Sequence, residues 1–194
     1  KILFSMSSKD LMGARFLPDL IRMGIASVKI EGRMKSTYYI ATLIHTYRML
    51  IDEIYTEGSI SDQRMDWYCA QLAKAENRPF ATGFYLGMPQ ANDQLYGVNG
   101  AGISGEYIAD VIAYDSTHKT ATLKVRNKFD PGTLAEAFAP HEPLRQFIIS
   151  EIYDEDDMRL ETANQPMRIV KIPCDIPLSE HAMIRKVIAK KPIE

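Results

Sequence analysis

The hydrophobic positions change period partway along the chain. Up to about residue 80 they recur at three- and four-residue spacing between short apolar runs; from about residue 103 they alternate. The first half reads as strand, helix, strand, helix, helix. Ile2, Leu3 and Phe4 form a short apolar strand, and Lys9-Asp10-Leu11-Met12 suggests one helical turn. Pro18 suits the first turn of a helix, where its missing N–H would have no partner anyway. That helix runs through Leu20, Ile21 and Met23 to Gly24. Residues 25–30 read as a second strand. Ser36 then caps a long helix in which Tyr39, Leu43, Tyr47, Leu50 and Ile54, with Ile40, Ile44 and Ile51, make one broad apolar face. Gly58 ends it. A third helix, from about Ser61, sets Met65, Tyr68, Cys69 and Leu72 on one side.

Alternating strands and helices imply parallel strands joined by helical crossovers. Two such units neither cover both faces of a parallel sheet nor close a barrel. Residues 1–80 therefore read as the end of a larger α/β domain. The chain also starts at Lys1 rather than Met, with a strand already under way. Either this is a piece of a longer protein or a few residues have been trimmed.

Residues 81–102, rich in Gly, Asn and Pro, form a linker or an ordered loop; Phe80, Phe84, Tyr85 and Tyr96 argue that part of it packs. Beyond it, strands are expected at residues 107–114, 120–126, 133–138, 144–152, 158–161, 167–172 and 182–188. Turns fall at 115–118, at Asp130-Pro-Gly132 and at the acidic run 154–157. Many short strands with tight turns make a small antiparallel barrel or sandwich over residues 103–194. Closure would remove exposed edges. The expected fold class is α/β followed by all-β.

Composition narrows function by exclusion. The chain is 46% apolar and 25% charged, ordinary for a folded domain. Its net charge of -2 gives no overall basic footprint, so binding to DNA or a membrane surface by bulk charge is not expected. From Ile103 onward, twelve lysines and arginines face fifteen acidic residues. No apolar run reaches the roughly 18 residues of a membrane span, and no signal peptide is read. Cys69 and Cys174 have neither metal nor redox spacing, which fits a reducing cytoplasm.

The candidate chemistry sits where residues 25–30 meet the capped helix. Lys29, Glu31, Arg33 and Lys35 crowd that junction. In parallel α/β sheets, ligands bind beyond the carboxyl ends of strands. Glu31 could serve as acid or base, or could clamp Arg33. Arg33 and Lys35 could hold a carboxylate or phosphate, helped by the helix start at Ser36. Lys9 and Asp10, after the first strand, stand on the same rim. A purely structural ion-pair network would use the same residues. His45 has no partner at helical spacing, and Gly97, Gly100, Gly102 and Gly105 lack phosphate-loop spacing.

Residues 8–11, 18–20, 27–41 and Tyr47-Arg48 together resemble the collagenase-like peptidase family U32. The likeness continues at residues 77–84 and 127–129. It implies the last units of a (β/α) barrel followed by a small β-barrel resembling the second domain of elongation factor Tu. Members nearest in pattern are tRNA wobble-uridine hydroxylases that depend on prephenate; others are named peptidases or collagenases. The resemblance thus implies tRNA and a small carboxylated metabolite as partners of the parent protein. Glu31 would be catalytic, and Lys9, Asp10, Lys29, Arg33, Lys35, Ser36 and Tyr39 would bind substrate. An iron–sulfur cluster is implied for the parent, and no cofactor for this segment. A hydrolase acting on peptides and a non-catalytic RNA- or protein-binding module are the alternatives.

Overall fold

A computed structural model describes residues 6–75, 78–96 and 106–187. The chain divides into two compact units, Lys1–Ser104 and Gly105–Glu194.

In the first unit, strand β1 (Met6–Ser8) pairs antiparallel with β4 (Gln94–Tyr96), and β2 (Asp10–Leu11) pairs parallel with β3 (Phe80–Ala81). The helical turn expected at residues 9–12 is instead this second strand. Its backbone is claimed from far along the chain: Asp10 N–H donates to Pro79 O at 3.0 Å and Met12 N–H to Ala81 O at 2.9 Å. The expected strand at residues 2–4 lies outside the described residues.

Three helices follow their sequence signals. Helix α1 (Leu17–Arg22) opens with Pro18 in its first turn and closes on Gly24. Its last carbonyls are satisfied by Gly24 N–H to Ile21 O and Ile25 N–H to Leu20 O, a Schellman arrangement. Ser36 caps α2 (Thr37–Glu57), its hydroxyl accepting from Tyr39 N–H at 3.1 Å. Ser61 caps α3 (Asp62–Ala73) in the same way. Leu43, Leu50 and Ile54 of α2 pack on Met65, Tyr68 and Leu72 of α3, with Leu17 completing the cluster.

Residues 25–30 do not form a strand. No ladder reaches them among the described residues, and Ile25 and Val28 are 49% and 45% exposed. A strand needs a hydrogen-bonded neighbour, and none is supplied here.

The second unit is one six-stranded antiparallel sheet, ordered β8-β7-β10-β5-β6-β9. Its strands are β5 (Tyr107–Asp115), β6 (Thr120–Val125), β7 (Thr133–Phe138), β8 (Arg145–Ile149), β9 (Ile169–Pro173) and β10 (Met183–Lys186). All six contribute to a single core around Ile108, Leu123, Ile149, Val170 and Ile184. Enclosing one core with one sheet requires curling. Register irregularities at Val111/Ala113 and Ile184/Arg185 supply bends.

The sheet is a curled half-barrel and not a two-sheet sandwich: no ladder joins β8 to β9 among the described residues, but Tyr153, just after β8, bridges Lys171 of β9 through two backbone bonds of 2.8 Å. The strand expected at 158–161 contributes only an isolated bridge, Tyr153 with Arg159. The physical reason is the acidic turn before it. Asp154 Oδ1 accepts from the N–H groups of Asp156 (3.1 Å) and Met158 (2.9 Å), so local turn bonds take the place of a ladder.

Candidate functional site

Asp10 is the centre of the best-defined polar cluster in the first unit. It is the first residue of the two-residue strand β2, in register with Phe80 of β3. Lys35 Nζ donates to Asp10 Oδ2 at 2.6 Å, and Tyr39 OH donates to the same oxygen at 3.0 Å. The lysine ammonium also sits 4.6 Å from the Tyr39 ring centroid, a cation–π contact. The Lys35 and Asp10 side chains keep 18% and 11% of their surface exposed. This ion pair is therefore sheltered yet reachable.

The sequence builds this cluster by two devices. The Ser36 cap fixes the first turn of α2 and so places Tyr39 one turn in. The tight turn before it brings Lys35 N–H to Gly32 O at 2.8 Å. Gly32 permits a close approach: a Cβ there would lie 1.8 Å from Ile40 Cδ1, so any side chain would displace Ile40. Burial, reinforced by the Asp10 carboxylate, pushes the Tyr39 phenol well above its ordinary range. The phenol therefore remains a proton donor to Asp10 at neutral pH.

The predicted residues separate into two groups. Asp10, Lys35 and Tyr39 come together, and Ser36 supports them through its cap. Lys29 and Glu31 pair with each other at 2.6 Å, with 84% and 71% of their side chains exposed; neither bonds to the Asp10 cluster. Lys9 and Arg33 have no ion pair among the described residues, and Arg33 is exposed.

Two neighbours, Tyr47 and Tyr85, were expected to pack but were not among the predicted site residues. Tyr47 OH lies 3.3 Å from the Gly13 N–H that donates to it, fixing the loop after β2. Tyr85 stacks on Phe16, with ring centroids 4.3 Å apart and planes 9° from parallel. The aromatic residues inside an otherwise Gly-rich stretch were the available signal for the second.

No group of three His, Cys, Asp or Glu side chains among the described residues could hold a metal ion. The two cysteines lie in different units, and burial raises both thiols. Cys174 donates to Ile176 O. This donor set does not fit an iron–sulfur cluster, which takes several thiolates together. No helix among the described residues is long and apolar enough to cross a membrane.

Family models place the chain. Residues 2–95 match the model described as peptidase family U32, and residues 104–185 match the peptidase family U32 C-terminal domain. The chain belongs to peptidase family U32. This U32 chain is 36% identical over 183 residues to "tRNA hydroxylation protein P1" of Bacillus subtilis, covering 94% of this chain and 43% of the relative. It is 30% identical over 125 residues to a protein named "Collagenase" from Porphyromonas gingivalis, covering 64% of this chain and 30% of that one. A crystal structure of the C-terminal domain of a Geobacillus thermoleovorans U32 peptidase matches at 34% identity, with a TM-score of 0.43. That match covers 46% of this chain and all of the other. The chain spans less than half the length of both named relatives.

Proposed function

We propose that this U32 chain is the C-terminal portion of an enzyme that hydroxylates tRNA, acting on the wobble uridine with a prephenate-derived oxygen donor. The observation that carries the reading is the 36% identity to a tRNA hydroxylation protein across 94% of the chain. The geometry supports it. The Asp10–Lys35–Tyr39 cluster combines a carboxylate, an ammonium and a phenol beside the parallel strand pair β2–β3. Lys9 and Arg33 add cations suited to a carboxylated metabolite. In this reading Arg33 grips the metabolite, Lys35 and Tyr39 orient it, and Asp10 holds both in place. An iron–sulfur cluster in the parent would take its ligands from outside this chain. Action on tRNA would place the protein in the cytoplasm.

We further propose that the first unit is the closing part of a (β/α) barrel and that the second resembles the second domain of elongation factor Tu. Support for the first comes from the parallel pair β2–β3 and from residues 25–30, an apolar segment without a strand partner. A groove of about 370 Å³ between α1, residues 25–28 and α2 adds to it. These features fit a missing neighbouring strand and helix.

The test is made in the full-length protein. Arg33→Ala should abolish or sharply reduce wobble-uridine hydroxylation, read by mass spectrometry of tRNA nucleosides, with the thermal melt unchanged. Fully modified tRNA from that variant would overturn the reading.

The collagenase-named relative favours peptide hydrolysis as a second reading. The raised thiols of Cys69 and Cys174 argue against a cysteine nucleophile. Gelatin cleavage by the full-length protein would support hydrolysis; an intact substrate would remove it.

A further inference from the structure

Asp10 uses only one of its two carboxylate oxygens. Lys35 Nζ and Tyr39 OH both donate to Oδ2. No described residue donates to Oδ1. That oxygen is not sealed either: the side chain keeps some exposed surface, and Oδ1 is not among the unpartnered atoms closed off from solvent. An ionised carboxylate can accept at both oxygens, so Asp10 retains acceptor capacity on its open side.

Four other sheltered carboxylates, each in a structural ion pair, fill both oxygens. Glu53 accepts from Arg64 at Oε1 and from Tyr68 at Oε2. Asp110 accepts from Tyr107 at Oδ1 and from Arg126 at Oδ2. Glu136 accepts from Gln146 at Oε1 and from Arg185 at Oε2. Asp154 takes two backbone N–H groups at Oδ1 and Arg168 at Oδ2. Asp10 departs from this pattern although its side chain is less exposed than those of Glu53, Asp110 and Asp154.

The open oxygen is also held in place. Asp10 N–H donates to Pro79 O, which ties its backbone to the strand pair. Tyr39 stands in the first turn of α2, fixed by the Ser36 cap, and its ring carries the Lys35 ammonium. Two donors converging on Oδ2 hold the carboxylate against rotation. A preorganised acceptor loses little freedom when a ligand arrives.

We propose that Asp10 Oδ1 is a recognition acceptor, taking a neutral O–H or N–H group of the substrate. The proposal rests on the tRNA reading above. A carboxylate or phosphate brought to Oδ1 would meet like charge, and the Lys35 ammonium beside it is already neutralised by Oδ2. An apolar group would strip water from the oxygen and return no hydrogen bond. A neutral donor replaces that water with a charge-assisted bond. Under the tRNA reading two groups carry such a donor: the imide N–H of the target uracil and the ring hydroxyl of prephenate.

The experiment titrates the full-length protein with two pairs of ligands, each pair differing by one donor. The first pair is a hairpin RNA with uridine or 3-methyluridine at the wobble position, read by fluorescence anisotropy. The second is prephenate and its analogue lacking the ring hydroxyl, read by calorimetry. In wild type, losing the donor that Oδ1 accepts should weaken binding by roughly ten- to a hundred-fold. In Asp10→Ala the same ligand change should cost almost nothing. A purely structural effect of the variant would weaken both members of a pair equally and leave their ratio as in wild type.

A ratio that collapses in the RNA pair assigns the donor to uracil; one that collapses in the prephenate pair assigns it to the metabolite. A ratio unchanged by Asp10→Ala in both pairs overturns the proposal, as does equal wild-type affinity within both pairs, which needs no variant that folds. Failure of wild type to bind any of the four ligands overturns it too. The tRNA reading is judged apart from these outcomes, by whether full-length Arg33→Ala still hydroxylates tRNA.

Discussion

Tyr68 shows how one side chain links packing to charge. It is buried in α3, and its hydroxyl donates to Glu53 Oε2 of α2 at 2.7 Å. Arg64 grips the same carboxylate from Nε at 2.9 Å and from its terminal nitrogen at 2.5 Å. The guanidinium holds the Glu53 carboxyl below its usual range. Burial, aided by that carboxylate, pushes the Tyr68 phenol up to about 12 from 10.0. In the unfolded chain the phenol ionises first, so the folded state is favoured fully below pH 10 and loses this advantage as pH rises towards 12. The urea midpoint of wild type should therefore fall more steeply between those two pH values than that of Tyr68→Phe. At neutral pH the variant should cost only about 0.5–1.5 kcal/mol, since Arg64 still satisfies Glu53. Parallel pH curves for the two proteins would show that Tyr68 does not carry this linkage.

At the scale of elements, the last strand holds the second unit together. Strand β10 lies between β7 and β5, so the sheet divides without it. Glu136 and Arg185 face each other across β7 and β10, with side chains only 3% and 2% exposed. Arg185 Nε donates to Glu136 Oε2 at 2.8 Å, and Gln146 of β8 donates to Oε1 at 3.0 Å. The Arg185 guanidinium also lies 4.9 Å from the Phe138 ring centroid. Arg185→Met should destabilise the unit by about 3–5 kcal/mol, because a carboxylate stays buried without its cation. Adding Glu136→Gln should recover much of that loss in urea titrations. A single-variant cost below about 1 kcal/mol would mean that the pair does not pin β10. None of this row was legible in the sequence, because Glu136, Gln146 and Arg185 meet only through a register set by distant strands. The helices were legible, since Ser36, Ser61, Gly24 and Gly58 mark their ends locally and the apolar spacing marks their faces. The β5–β6 hairpin was legible through its turn at 115–118, and the turn at 130–132 through its Pro-Gly pair, although β6 and β7 on either side of it do not pair with each other. Residues 25–30 misled because β-type composition cannot provide a partner strand. Residues 9–12 misled because the partner, Phe80–Ala81, lies far along the chain. At the site, the charges at Lys35 and Asp10 were visible, but their shared oxygen with Tyr39 depends on the fold.

For the whole molecule, the two cores are separate clusters with different architectures. The core of Gly105–Glu194 draws on every strand of its sheet, including the fully buried Ile108, Leu123, Ile149 and Ile184. The Lys1–Ser104 unit relies on three helices and on ladders of two or three residues, and it leaves Ile25 and Val28 exposed. Burial of apolar area is the main source of stability, so the second unit has the means to fold alone. Residues 105–194 expressed separately should keep their sheet and unfold in one cooperative urea transition. In the intact chain, amide exchange should be slowest in β5, β6 and β10 and fast across residues 25–30, which lack a ladder. Refolding of the isolated unit should fall in the millisecond-to-second range, because the central strand is also the last in sequence and its pairing with β5 must wait for distant segments to meet. A non-cooperative transition in the isolated unit would show that its sheet depends on residues from the first unit. Protection across residues 25–30 equal to that of β5 would show that this segment has found a strand partner, most simply a second copy of the chain.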